Sequence, residues 1–277
     1  MKKGSKLAAI VLAVAMAVSM GACSSAGTTA ASSGASSAAA STTIDKIKAD
    51  GYITMSTNAE FEPFEYKDGD KVTGIDVEIA QKVADKLGVQ LKVNDIAFDT
   101  LITELNSGKS NFVAAGMSVT EDRQKNVDFS DTYFDASQAI IVTKDSPIKL
   151  PSDLNGKKVG VQQGTTGDTY CTNEDGKNDI KVSSVERYNK GVDAVADLMN
   201  GKIDAVVIDS FPATKFVEKN SDKLVKLNDA LTVEKYAIAV KKGDKEMLDT
   251  INNVLSDMKS SGELDKIIEK YKAALGA

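Results

Sequence analysis

Eight residues lead from a short apolar run into a polar turn: Gly116-Met117-Ser118-Val119-Thr120-Glu121-Asp122-Arg123. Thr120 has the chemistry of a helix N-cap, and Glu121 and Asp122 suit a first helical turn. The backbone N–H groups of Ser118 to Glu121 are then free to meet an anion. Arg123 comes round one turn later with a planar fork matched to a carboxylate, although an arginine balancing Glu121 and Asp122 at the surface has the same local sequence. Asp209 closes a second apolar run, Ala205-Val206-Val207-Ile208, where it either caps the helix entered by Ser210 and Pro212 or presents a carboxylate beyond a strand end. Thr165 and Thr166 stand where a further helix starts, and Phe61 and Phe98 are either core aromatics or walls of a site.

What the chain lacks narrows the chemistry. Its 277 residues include no histidine, no tryptophan and two cysteines. A Ser-His-Asp or Cys-His nucleophile, an HExxH zinc site and a Cys/His zinc cluster are therefore excluded, and neither metal nor cofactor is expected. A formal charge of −6 without a Lys/Arg-rich block speaks against nucleic acid. Binding remains, or catalysis by carboxylate, lysine or tyrosine.

The elements that must position these residues begin after a targeting segment. Lys2, Lys3 and Lys6 precede the twelve apolar residues Leu7–Val18 and the run Ser19-Met20-Gly21-Ala22-Cys23. Twelve residues are too few to span about 30 Å of hydrocarbon, so residues 1–22 read as a secretory signal. Gly21-Ala22 directly before Cys23 resembles a bacterial lipobox, with Met20 where leucine is usual. That resemblance implies cleavage before Cys23 and lipid, palmitate included, on its sulfur. Residues 23–43 then form the lipidated cysteine and a tether of Ser, Ala, Gly and Thr, which has no large apolar group to offset its ordering entropy. Cleavage leaves 31 basic residues against 40 acidic ones, a net −9. Cys171, without an intrachain partner in the mature chain, is expected to pack as a small apolar residue.

From residue 44 onward, apolar strands alternate with amphipathic helices, the pattern of an α/β fold with largely parallel sheets. Ile75, Val77, Ile79, Ala80, Val83, Ala84 and Leu87 recur at helical spacing and stop at Gly88; Asp99 is expected to cap a helix carrying Leu101, Ile102 and Leu105. LNSGKSNFVAAG (105–116) and LMNGKIDAVVID (198–209) share one plan: helix end, glycine-lysine turn, short buried strand. Their last positions, Gly116 and Asp209, each lie eight residues past the turn glycine. Two such units predict two similar lobes, with both positions facing a cleft beyond the strand ends. The expected boundaries are 44–142 with 236–277 for lobe 1 and 143–235 for lobe 2, crossed near Val142–Lys144 and Val233–Tyr236.

The run AAGMSVTEDRQKNVDFSDTYF (114–134) resembles the signature stretch of the bacterial extracellular solute-binding proteins, family 3, the substrate-binding lipoproteins of polar amino-acid ABC transporters. STNAEFEPFEYKDGDKVTGIDVEIAQKVADKLG (56–88), LNGKKVGVQQGTTGDTY (154–170) and GKIDAVVIDS (201–210) are similar in order and spacing. The resemblance implies a two-lobed, type II periplasmic-binding-protein fold, each lobe a mixed, mostly parallel sheet flanked by helices, with two crossover strands at the hinge. It implies a monomer held outside the cytoplasm by its lipid, which clamps a free amino acid by hinge closure and delivers it to an ABC permease.

The same resemblance assigns roles. Arg123 would pair the ligand carboxylate, with the N–H groups of Ser118 and Thr166 in the loop shared with Thr165. Asp209 would take the α-ammonium, with the Gly116 carbonyl and the Ser118 hydroxyl; Met117 lies between the two contacts. Phe61 and Phe98 would sandwich the ligand. Asn58 stands where relatives that hold cationic side chains often carry an acid, so neutral polar ligands, cystine-like ones included, are as open as lysine or arginine, with Glu60 a substitute acid. Periplasmic cyclohexadienyl-dehydratase-like enzymes resemble these receptors too. Such an enzyme needs an isolated carboxylic acid of raised pKa, for which Glu60 is the candidate, and the receptor reading, with no turnover, is preferred.

Overall fold

The computed structural model describes residues 42–174 and 176–273. Cys23, the signal segment and most of the expected tether lie outside the described residues.

Helix α1 (Thr43–Asp50) starts the fold. Thr42 caps it by accepting from the Asp45 N–H while the Asp45 carboxylate accepts from Thr42 N, each at 3.2 Å, and Ile44 and Ile47 are buried. The expected tether ends at Thr43, but Thr42 caps α1 through a capping box with Asp45 and Thr43 is the first residue of that helix. Next come β1 (Tyr52–Thr57), the antiparallel strands β2 (Glu60–Phe61), β3 (Glu65–Asp68) and β4 (Lys71–Thr73), and α2 (Ile75–Leu87). α2 buries Ile75, Ile79, Ala80, Val83 and Ala84, and ends at Gly88, whose φ of 71° is a left-handed cap. β5 (Gln90–Asp95), α3 (Leu101–Asn106), β6 (Phe112–Val113), the single turn α4 (Glu121–Gln124) and β7 (Val127–Phe129) complete this part of the first lobe. Asp99 lies within a 3₁₀ turn, Phe98–Thr100, instead of capping α3, which follows Thr100 directly.

β8 (Phe134–Ala136) leads out of the lobe. β9 (Gln138–Thr143), β10 (Lys158–Gln162), α5 (Thr166–Thr172), β11 (Ser184–Tyr188), α6 (Gly191–Met199), β12 (Ala205–Asp209), α7 (Ser210–Lys219) and β13 (Leu224–Lys226) build the second lobe. β14 (Glu234–Tyr236) returns, and β15 (Ala239–Lys241), α8 (Lys245–Ser260) and α9 (Glu263–Ala273) cover the first lobe. Among the described residues no helix is long and apolar enough to cross a membrane.

The two five-stranded sheets have matching orders, β5-β1-β6-β15-β7 and β11-β10-β12-β9-β13. In each, three parallel strands are followed by two antiparallel steps. β6 and β12, the strands of the repeated phrase, hold the central place in each, and their turn glycines, Gly108 and Gly201, have φ of 78° and 69°. The fourth strand of each sheet lies immediately past a crossing: β9 enters lobe 2 and β15 re-enters lobe 1. The first crossing is therefore at Phe134–Ala136, and Gln138–Thr143 belongs to lobe 2, not to lobe 1 as expected from the sequence. Gln138–Val142 is wholly buried, so its apolarity alone did not say which sheet it joins. β14 falls within the expected second crossing and pairs antiparallel with β8, Phe134 opposite Tyr236, so that the hinge is a two-stranded ribbon.

Candidate functional site

The cleft between the lobes is lined by Phe61, Phe98, Gly116, Ser118, Arg123, Gln162, Thr165, Thr166 and Asp209. Eight of the ten ligand-binding positions expected from the sequence are therefore together.

Arg123 is set by the turn before it. The Thr120 hydroxyl accepts from Arg123 N at 3.2 Å, which starts α4 and aims the guanidinium back over the loop. Its Nη1 donates to the Ser118 carbonyl at 2.7 Å and its Nη2 to the Gly164 carbonyl of the opposite lobe at 3.0 Å. Three of its five N–H groups remain for an anion. The Phe98 ring centroid is 5.3 Å from the guanidinium carbon, within cation–π range. Burial lowers the Arg123 pKa from its ordinary value, against the pull of Glu234 and Asp209.

Asp209 ends β12, buried at the second lobe's face of the cleft. It precedes α7 but makes no side-chain cap bond to it; its carboxylate instead accepts from the Tyr236 hydroxyl. Burial pushes the carboxyl up to about 7, helped by the nearby Glu234 carboxylate, while Tyr236, Gln138 and Arg123 pull the other way.

Phe61 packs against the binding turn: a methyl group at Gly116, whose φ is 50°, would lie 2.6 Å from the Phe61 ring. Glycine is required there by conformation and by space. Thr165 caps α5 by accepting from Asp168 N at 3.2 Å, which makes Thr166 the first helical residue at the cleft edge.

Two expected residues do not line the cleft. Asn58 is buried beside it, donating to the Ile96 carbonyl and accepting from Gln162 Nε2, each at 2.8 Å; the second bond crosses between lobes. The Met117 side chain packs with Leu101, Leu105 and Val127 inside lobe 1, because strand-like alternation turns it away from its neighbours Gly116 and Ser118. Its carbonyl instead accepts from Ala237 N at 3.1 Å, and Val119 N donates to the Lys235 carbonyl at 3.0 Å, so the binding turn is tied to the hinge strand on both sides of Ser118.

The residues missed from sequence sit on that strand. Glu234 accepts hydroxyl protons from Ser118 of lobe 1, from Thr166 of lobe 2 at 2.8 Å, and from Thr232 at 2.7 Å. Tyr236, two residues along and on the same face, reaches Asp209. The signal was the alternation Glu234-Lys235-Tyr236 in a segment already expected to cross between lobes. Gln162, at the carboxyl end of β10, was missed as well. At the mouth, Lys190 pairs with Glu60 at 2.6 Å and Lys219 with Glu62 at 2.7 Å, both across the lobes.

Residues 53–274 match the bacterial extracellular solute-binding proteins, family 3. The arginine-binding extracellular protein ArtP of Bacillus subtilis (strain 168) is 36% identical over 220 residues, covering 79% of this chain and 85% of that protein. A probable histidine-binding protein of Neisseria gonorrhoeae is 35% identical over 227 residues, covering 80% and 83%. Among solved structures, the P235GK mutant of ArgBP from T. maritima is 45% identical with a TM-score of 0.77, covering 83% of this chain and 99% of that one. With the family match running over most of its length and relatives above 30% identity, this chain belongs to the bacterial extracellular solute-binding proteins, family 3.

Proposed function

We propose that this protein is the capture component of an amino-acid ABC importer: it clamps one free amino acid between its lobes outside the cytoplasm and presents it to a membrane permease, without turnover. The observation that carries this reading is the placement of Arg123 and Asp209 in one cleft, on opposite lobes. A zwitterion needs a cationic fork at one end and an anion at the other, and only the closed form offers both. Phe61 and Phe98 supply apolar walls, and the Gly116 carbonyl and Ser118 hydroxyl complete the ammonium end.

Side-chain preference follows from charge. Glu234 adds a second acid within reach of Arg123 and Asp209, and the only cation facing them in the cleft lining is Arg123. Once a zwitterion has matched Arg123 and Asp209, a negative charge is left over, which favours a basic amino acid, as in the arginine-binding relatives. Glu60, paired with Lys190, is not the isolated acid that dehydratase chemistry requires. Cys23 carries the lipid that holds the monomer at the membrane.

Titration calorimetry of the purified protein with arginine, lysine, histidine, glutamine and cystine tests the reading. One-to-one binding is expected, strongest for a basic amino acid. No binding of any amino acid, or conversion of a prephenate-like acid to product, overturns it.

A further inference from the structure

Beneath the first lobe's face of the cleft lie two carboxyl groups that the clamp does not use. Glu65 of β3 is 1% exposed and Asp76, in the first turn of α2, is 0% exposed. Asp76 is well supplied with donors. Its Oδ2 accepts from Gly116 N at 2.7 Å, and the Tyr133 hydroxyl donates to both its oxygens, at 2.7 and 2.8 Å. Glu65 receives none: neither of its buried oxygens accepts a hydrogen bond from an N–H or O–H group. It stands within hydrogen-bond range of Asp76, and the other charged group acting on it, Asp209, is also an acid.

Two ionised carboxylates in contact, one of them without a donor and both out of water, repel each other and lose their hydration together. One proton between them removes both problems. The geometry says where it resides. Asp76 sits near the positive end of a thirteen-residue helix and already accepts from an N–H and a hydroxyl, so it is the better anion. Glu65 has no donors, so it is the better acid. As a neutral carboxyl it donates to Asp76, which has acceptor capacity left. Burial moves Glu65 far above its ordinary value, as this requires, whereas Asp76 rises only to about 6, because the hydrogen bonds from Gly116, Tyr133 and Glu65 oppose the effect of burial.

We propose that Glu65 and Asp76 form a buried carboxyl–carboxylate pair sharing one proton, and that this pair is the positioning element that fixes the backbone of Gly116 in the ligand cleft. The side chains of the pair reach a cleft-lining residue directly through the Asp76–Gly116 hydrogen bond. Gly116, held at a φ of 50°, has no side chain of its own to fix it there. The proton on Glu65 keeps Asp76 anchored and aimed, and Asp76 in turn holds the peptide that presents the Gly116 carbonyl. That last step rests on the amino-acid reading of the cleft; the shared proton does not.

Infrared spectroscopy, selective glycine NMR and calorimetry test the pair in the full chain. At a pH well above the Asp209 value of about 7, wild type should retain a protonated-carboxyl band, and Glu65→Gln should lack it. Absence of the band in folded wild type overturns the shared proton. Glu65→Gln keeps an N–H donor toward Asp76 and should preserve the Gly116 amide signal and the amino-acid affinity. Glu65→Leu keeps bulk but offers no donor; it should move that signal and weaken binding by about tenfold. A purely packing role predicts the reverse order, with Leu the better tolerated variant, and that result overturns the positioning role, as does an unmoved Gly116 signal in Glu65→Leu. If wild type binds no amino acid, the proposed function fails, while the infrared band and the Gly116 signal still decide this inference.

Discussion

The Tyr236 hydroxyl donates to the Asp209 carboxylate, joining the hinge strand of one crossing to the strand end of the second lobe. The bond stabilises the charged form of an acid that burial otherwise pushes up to about 7. A ligand ammonium acts in the same direction. The protonated fraction of Asp209 must therefore be emptied on binding, and a proton is released. Affinity should hold above about pH 7 and fall below it, approaching tenfold per pH unit. Calorimetry in buffers of different ionisation enthalpy reads the released proton directly. Asp209→Asn should bind weakly and lose the pH dependence; an unchanged profile in that variant assigns the effect elsewhere.

Tyr236→Phe tests the bond itself. Without the phenol the Asp209 carboxyl rises further, because one of the groups that lower it is gone. The pH at which binding weakens should move upward, with the loss at neutral pH larger than the loss in mild alkali. A uniform loss at every pH would mean that Tyr236 acts only by packing against Phe64 and Phe134.

Arg123→Ala should cost about 2–5 kcal/mol of binding, tens to thousands of fold, since it leaves a desolvated ligand carboxylate unpaired. Arg123→Lys should restore little. A single ammonium cannot hold the Ser118 and Gly164 carbonyls and a carboxylate with the geometry of the planar fork. Wild-type affinity in the alanine variant, measured by calorimetry, would remove Arg123 from the clamp.

Much of this site was legible in the sequence because its parts are local. Thr120 and Arg123 are three residues apart, and an N-cap fixes their relation without help from the rest of the fold. The phrase ending at Gly116 and repeated at Asp209 names the central strand of each sheet, since a glycine turn followed by a short buried strand is a local signal. Sheet membership is not local. Ala139–Val142 is equally apolar in either lobe, and the pairing of β9 with β12 and β13 depends on residues 65 to 85 positions away. Glu234 was invisible for the same reason: its partners Ser118 and Thr166 lie in different lobes and meet it only through the β8–β14 ribbon. Met117 lies between two cleft-facing neighbours, but alternation points its side chain into the core, a relation that local sequence similarity to a binding stretch does not show.

Cys171 should be inert in the folded protein. It is buried, and burial pushes its thiol up to about 12, with Asp168 adding to the shift, so almost no thiolate exists at neutral pH. In a Cys23→Ala chain, a thiol reagent should react with nothing until denaturant is added and then with one equivalent. Prompt labelling of the native protein would show that the segment around α5 opens readily.

Gly164→Ala separates closure from folding. Gly164 lies in the turn between β10 and α5 with φ of 76°, and a methyl group there would sit 3.0 Å from Asp99 Cβ and 3.1 Å from Asp99 Cα, on the opposite lobe. The left-handed backbone alone costs about 1 kcal/mol, felt equally by open and closed forms. The contact with Asp99 exists only when the lobes meet, and it involves backbone that cannot swing aside. The same closure brings the Gly164 carbonyl to Arg123 and Gln163 to Asp99 at 2.9 Å. The variant should therefore melt only slightly below wild type, bind its amino acid about tenfold more weakly, and show less ligand-induced compaction in small-angle scattering. Undiminished compaction would mean that the lobes close without bringing this turn onto Asp99, and the interlobe contacts of Arg123 would then have to be reassigned.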